Sequence, residues 1–374
     1  MSMATPEPAK EDVLLYISEN DVESAAQEIK NLSGRITHRF GNQAIVVKFD
    51  TAPPDLDKLS HISTSQPADL DVSTTLAVNA WRNNLELRKT PRAPGVEEGA
   101  QWNSSGYQAP VHFDTEPKVG ESFVEDEKDG AGDNEEGIQR STGTPTSRYL
   151  TGSVAVGIVI VSRDQGSEEM TTQEQTTVVQ QAQQGLDFLA NAEPRANISF
   201  VYDIQPQTVT VSPGPVAGVP GAYERFERPW RDAALANMGF AAGRTGYRQY
   251  VTDLRTRMGT DWAFVAFFTK YQINHFAYAI YEKVVMHYDN DGWGTNNIHR
   301  VFAHETCHIF GAADEYGSCS CNSLHGELQE RNGNCVACFP PGTQADCLMN
   351  QNTLVLCPFS QRQIGWDTTL FPQP

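Results

Sequence analysis

Apolar positions along the chain alternate between continuous runs and helical spacing, and that alternation lays out its elements. VLLYIS (Val13 to Ser18) reads as a short strand. DVESAAQEIKNLSG then places Val22, Ala25, Ala26 and Ile29 at helical spacing, with Gly34 as a stop. RITHRF and AIVVKF read as two strands turned by Gly41 and Asn42, completing a β-α-β-β unit. From Ser153, SVAVGIVIVS is a continuous β-rich run suited to a central strand buried on both faces. The next segment, TTQEQTTVVQQAQQGLDFLANAEP, sets Val178, Ala182, Leu186 and Leu189 on one helical face, and Pro194 ends it. ISFVYDIQ and QTVTVS give more strand, and a helix is expected over Gly246 to Met258 inside a polar, aromatic-rich stretch. WAFVAFFTKY is a buried-type strand, HFAYAIYEKVVMHYD holds one or two more, and DNDGWGTNN is a turn. DNDG hints at calcium but lacks the ligand spacing of an EF-hand, so the turn reading is preferred.

This order predicts an α/β (α+β) chain in three parts. Residues 1–75 form a small β-α-β-β domain. Residues 76–150 form an acidic linker or strap, because the stretch around EDEKDGAGDNEEG has too few apolar residues to offset the entropy of ordering. Residues 151–374 form an α/β domain with a mixed, twisted sheet.

The formal net charge of -19 disfavours nucleic acid or an anionic membrane as partner, since both would repel the chain. No apolar run is long enough to span a bilayer. The start, MSMATPEPAKED, lacks a basic n-region and an apolar h-region and does not read as a secretory signal as written. All 7 cysteines lie between Cys307 and Cys357, which marks a local staple or metal site. Read as disulfides they point to an oxidising, extracellular compartment, and that evidence outweighs the missing signal.

The chemistry concentrates in HETCHIFGAADEY, from His304 to Tyr316. On a helix, His304 and His308 share a face one turn apart and can offer imidazole nitrogens to one zinc ion. Glu305 is rotated away from that face and is free to act as a general base toward water at the metal. Gly311 allows the helix to stop and the chain to double back, which brings Asp314 in as third ligand. Glu315 is the neighbouring alternative, and Glu327 or Glu330 would serve if the ligand came from a following helix. Tyr316 is a candidate oxyanion donor or a packing residue. The bland alternative to all of this is an amphipathic helix with a glycine stop.

The arrangement resembles the metzincin motif H-E-x-x-H-x-x-G-x-x-H with aspartate in the last place. It is most similar to snapalysin-like enzymes, and its ADEY ending is similar to that of immunoglobulin A metallopeptidases, one residue shorter. The resemblance covers about Ser153 to Trp366. It implies zinc on His304, His308 and Asp314, Glu305 as general base, and Met349 in CLMNQ as the methionine turn beneath the metal. It also implies hydrolysis of protein or peptide substrates held in extended form along an edge strand near Phe276 to Lys283. The alternative class is a catalytically inactive, metal-containing binding or adhesion protein.

Cys307 reads as a buried small apolar residue. Cys319, Cys321, Cys335, Cys338, Cys347 and Cys357 are expected to form disulfides, with Cys347–Cys357 bracketing Met349. The rival is a second, structural zinc on Cys319, Cys321, Cys335 and Cys338. The front unit loosely resembles the inhibitory propeptides of subtilisin-like proteases, so a latent zymogen is expected, with the N-terminal domain docking on the catalytic one. No cysteine precedes Cys307, so His112, Asp114 or the acidic run at 125–136 would have to block the metal.

Overall fold

The computed structural model describes residues 12–367 apart from 19–20, 52–54, 57–58, 90–97, 113–145, 220 and 341. In chain order its elements are β1 (Asp12–Ile17), α1 (Val22–Asn31), β2 (Gly34–Phe40), β3 (Ala44–Phe49), β4 (Ile62–Ser63), α2 (Val72–Arg88) and β5 (Val111–His112). Then follow β6 (Ser153–Arg163), α3 (Thr172–Ala192), β7 (Ser199–Val209), α4 (Ala222–Asn237), α5 (Gly243–Met258), β8 (Trp262–Thr269), β9 (Ala277–Ile280) and β10 (Lys283–His287). The chain ends with α6 (Ile298–Ile309), the short pair β11 (Leu324–His325) and β12 (Glu330–Arg331), and α7 (Pro358–Gln363).

The class is α/β, built on one mixed sheet. Among the described residues it has 10 strands in the order β4-β1-β3-β2-β7-β6-β8-β10-β9-β5. β6 is the central strand its apolar run predicted, parallel to both β7 and β8. Its alternate residues face two separate cores. Val154, Val156, Ile158 and Ile160 point to the layer holding α3 and α6, whereas Ala155, Val159 and Val161 point to that holding α4 and α5. α4 was not legible in the sequence, because Pro229 lies inside it and such a residue ordinarily breaks a helix. ISFVYDIQ and QTVTVS, expected as separate strand segments, form a single strand, β7.

The front unit is not a free-standing domain. β2 pairs in parallel with β7, His38 opposite Phe200 and Phe40 opposite Tyr202, so its sheet continues into the larger one. The seam is polar and buried: His38 Nδ1 meets Tyr202 Oη at 2.9 Å and Nε2 meets Asp187 Oδ1 at 3.2 Å. Arg35 donates to the Ala190 carbonyl and to Asn191. α2 lies across the seam on α3, where Gln183 donates to the Ala77 carbonyl at 2.9 Å. It also runs through position 75, where the sequence reading placed a boundary.

Candidate metal centre

α6 is held rigidly before any chemistry is considered. All 12 of its residues are buried. Gly185 on α3 lets it pack closely: a Cβ there would lie 2.3 Å from the His299 carbonyl oxygen. Gln181 on the same helix accepts the His299 amide at 3.2 Å, satisfying one donor of the first turn of α6. At the other end the chain turns at Gly311, whose φ of 97° favours glycine. A Cβ at Gly311 would meet Gly326 Cα at 2.7 Å, so two glycine backbones touch where the chain reverses.

That reversal brings Asp314 back over the helix. His304 Nε2 and His308 Nε2 are 2.9 Å apart, and each lies 3.2 Å from Asp314 Oδ1. The tautomers follow from the other ring atoms. His304 Nδ1 lies 3.0 Å from the Leu348 carbonyl and His308 Nδ1 lies 2.8 Å from the Ala312 carbonyl. A carbonyl only accepts, so both Nδ1 atoms carry a proton, and in the neutral ring each Nε2 presents a lone pair. Three acceptor atoms thus converge on one point, an arrangement that repels itself unless a cation lies among them. The corners of this triangle lie roughly 1.8 Å from their common centre, against zinc–nitrogen bonds of about 2.0–2.1 Å. The donor set fits zinc.

Glu305 is fully buried, and neither of its oxygens has a hydrogen-bond partner among the described residues. Burial first, then the charge of Asp314, push its carboxyl well above the usual value, and the nearby Ala279 amide, outside hydrogen-bond geometry, alone favours the charged form. Met349 is buried in the main core, and its carbonyl accepts the Glu315 amide at 3.0 Å.

The remaining candidates separate cleanly. Glu315 is no ligand: its carboxylate accepts from Asn334, Asn350, Ser360 and Cys357, away from the triangle. Glu327 faces Arg148 and Glu330 pairs with Arg362, so neither joins the histidines. The Tyr316 hydroxyl donates to the Pro110 carbonyl at 2.6 Å while its ring stacks on His304. In the DNDG turn, Asp291 accepts the Gln108 amide. Cys307 is a buried free thiol, as expected.

Of the cysteine expectations, disulfides among the four loop cysteines are found and the Cys347–Cys357 bond is corrected. The bonds are Cys319–Cys335 and Cys321–Cys338, which leaves no thiolates for a structural zinc on those four residues. Cys347 and Cys357 are free thiols. Their sulfurs are engaged otherwise: Cys357 Sγ donates to Glu315 at 2.9 Å, and Cys347 Sγ accepts the Cys357 amide at 3.2 Å.

The strap supplies residues that sequence reasoning missed. Trp102 is fully buried, edge-on to His304 with ring centres 5.4 Å apart. Tyr107 stacks on Trp293, which donates to the Gln108 carbonyl. Glu98 pairs with the buried Arg300 of α6 at 3.1 Å. Beyond Pro110, β5 adds to β9 in parallel, so the edge expected to be open for substrate is covered by the chain itself. The His112 side chain, Asp114 and the acidic run 125–136 lie outside the described residues. The signal missed at Trp102 was two aromatics, Trp102 and Tyr107, inside a segment read as solvated. No helix is long and apolar enough to cross a membrane among the described residues. No family model and no curated protein matches the chain.

Proposed function

We propose that the chain is a zinc-dependent endopeptidase of metzincin type, made in a latent form. The observation that carries this reading is the convergence of His304 Nε2, His308 Nε2 and Asp314 Oδ1 beside a buried carboxyl, Glu305, whose oxygens accept no hydrogen bond among the described residues. Zinc held there would polarise a peptide carbonyl and acidify water. The chain's own residues do the rest. The Leu348 and Ala312 carbonyls keep both imidazoles in the ligating tautomer. Glu305 would receive the proton of the attacking water and return it to the leaving amine. β9 is the edge along which an extended peptide would lie. Because β5 already pairs there and Pro110 holds the Tyr316 hydroxyl, the chain supports latency through the strap. The front unit pairs at the opposite end of the sheet and covers nothing at the site.

Metal content by mass spectrometry and peptide cleavage test this together. Cleavage is read after cutting a protease site engineered between residues 113 and 145. The wild type is expected to hold about one zinc, as a three-ligand catalytic site does, and Asp314→Ala to lose it. Glu305→Gln should keep the metal and lose on the order of 10²–10⁴-fold in kcat. Zinc without cleavage, and no difference on Glu305→Gln, would favour the inactive binding protein instead.

A further inference from the structure

The Leu348 carbonyl accepts two hydrogen bonds, which is the capacity of its two lone pairs. One comes from His304 Nδ1 at 3.0 Å, the other from Trp102 Nε1 at 2.6 Å. Indole nitrogen is a donor only, so this second bond has one direction. Trp102 belongs to the strap, far from the zinc motif in sequence. Around it the backbones of strap and methionine segment are tied. Trp102 N donates to the Asn350 carbonyl at 3.1 Å, Gly99 N to Asn352 and Asn352 N to Ala100. The indole also stands edge-on to the His304 ring, interplanar angle 67°, blocking rotation about its χ2.

We propose that Trp102 is a positioning residue of the zinc centre. It fixes the carbonyl that fixes the His304 tautomer, so the metal site is completed by a residue of the strap. The proposal rests on His304, His308 and Asp314 being a zinc site, and is independent of whether the protein cleaves peptides. Partners of ligating histidines typically alter metal affinity by about 10–100-fold when removed. The strap up to Pro110 is then part of the working site and has to stay when latency is lifted.

The test is zinc affinity by competition with a chelator of known affinity, on full-length protein, together with the visible spectrum of the cobalt-substituted form. Trp102→Phe is expected to weaken zinc binding by about 10-fold or more and to change the cobalt spectrum. Glu98→Gln is the control: it weakens the ion pair that ties the strap to Arg300 of α6 and leaves the Trp102 indole and the Leu348 carbonyl unaltered. Its zinc affinity should stay within about 2-fold of wild type. Replacing the Trp102 indole by a benzothiophene of the same shape removes only the N–H, and serves should Trp102→Phe fail to fold. Equal affinity in wild type and the benzothiophene form, or equal loss in Trp102→Phe and Glu98→Gln, overturns the proposal. A wild type that binds no zinc overturns the metal-site reading beneath it.

Discussion

Glu315→Gln separates the zinc ligand from its neighbour, and its cost can be worked from the contacts. Glu315 Oε2 accepts from Asn334 Nδ2 at 2.6 Å and Asn350 Nδ2 at 3.0 Å. Oε1 accepts from Ser360 Oγ at 2.7 Å and Cys357 Sγ at 2.9 Å. Neither asparagine can flip to suit a new amide, because each is fixed by other bonds. Asn334 Oδ1 accepts Ala345 N, Asn350 Oδ1 accepts Cys347 N, and both Nδ2 groups also donate to the Ala345 carbonyl. The glutamine NH2 must therefore take the Oε1 side, where the Ser360 hydroxyl and Cys357 thiol turn to accept it. All four contacts survive in form but fall from charge-assisted to neutral, a loss of about 1 kcal/mol each. Relief from burying a charge returns part of this, leaving a net loss of about 2–4 kcal/mol. At about 2 °C per kcal/mol for a chain of this size, the apo melting temperature falls by roughly 4–8 °C. Thermal melting of apo protein, with zinc stoichiometry by mass spectrometry, is the assay. Zinc should remain near one per chain while Asp314→Ala loses it. Loss of zinc in Glu315→Gln with an unchanged apo melting temperature would refute the reasoning and make Glu315 the ligand.

Two further outcomes follow from the same structure. Gly311→Ala forces a side chain onto a φ of 97° and into Gly326 Cα, at 2.7 Å. Strain and overpacking together cost about 2–5 kcal/mol, and chelator competition should show weaker zinc because Asp314 shifts with the turn. An unchanged melt and affinity would mean that Gly326 yields freely. At the seam, burial would raise the Asp187 carboxyl, but His38, Arg88 and Lys48 outweigh it and hold it below its ordinary value. Its stabilisation is complete above the unfolded value of about 3.9 and is lost as pH falls through the lower folded one. Denaturant melts across that acid range should lose slope in Asp187→Asn, and an identical pH profile would sink the assignment.

The convergence of His304, His308 and Asp314 was legible because the three lie within eleven residues and their geometry is local: helical spacing, a glycine reversal, a carboxylate on the return. Only Glu315 required the fold to be dismissed, since its partners Asn334, Asn350 and Ser360 come from three other segments. The cysteine pairing was illegible for a related reason. Cys347 and Cys357 are well spaced for a bond, yet a buried carboxylate from a distant loop takes the Cys357 thiol as donor. β1, α1, β2 and β3 followed from periodicity, which reports what an element buries but not against which partner. The parallel pairing of β2 with β7 carried no local signal, because a strand destined for an edge and one destined for a seam alternate alike.

That pairing changes what latency can mean here. A prodomain that leaves must part from a surface it covers, at modest cost. The front unit instead shares one sheet with the catalytic half and buries His38 and Tyr202 between them. Detaching it would strip β7 of a neighbour and leave Asp187 without its His38 partner inside a partly buried seam. The contacts that obstruct the site are far fewer: the β5 pairing with β9 and the Pro110 carbonyl on Tyr316. Both lie directly after the aromatic anchor at Trp102 and Tyr107, just before residue 113. Freeing the β9 edge therefore requires displacing only Pro110, Val111 and His112, while everything before them stays. Activation of the proposed zymogen would then be a local peeling of one short strand, and its product a nicked molecule that still contains its N-terminal unit.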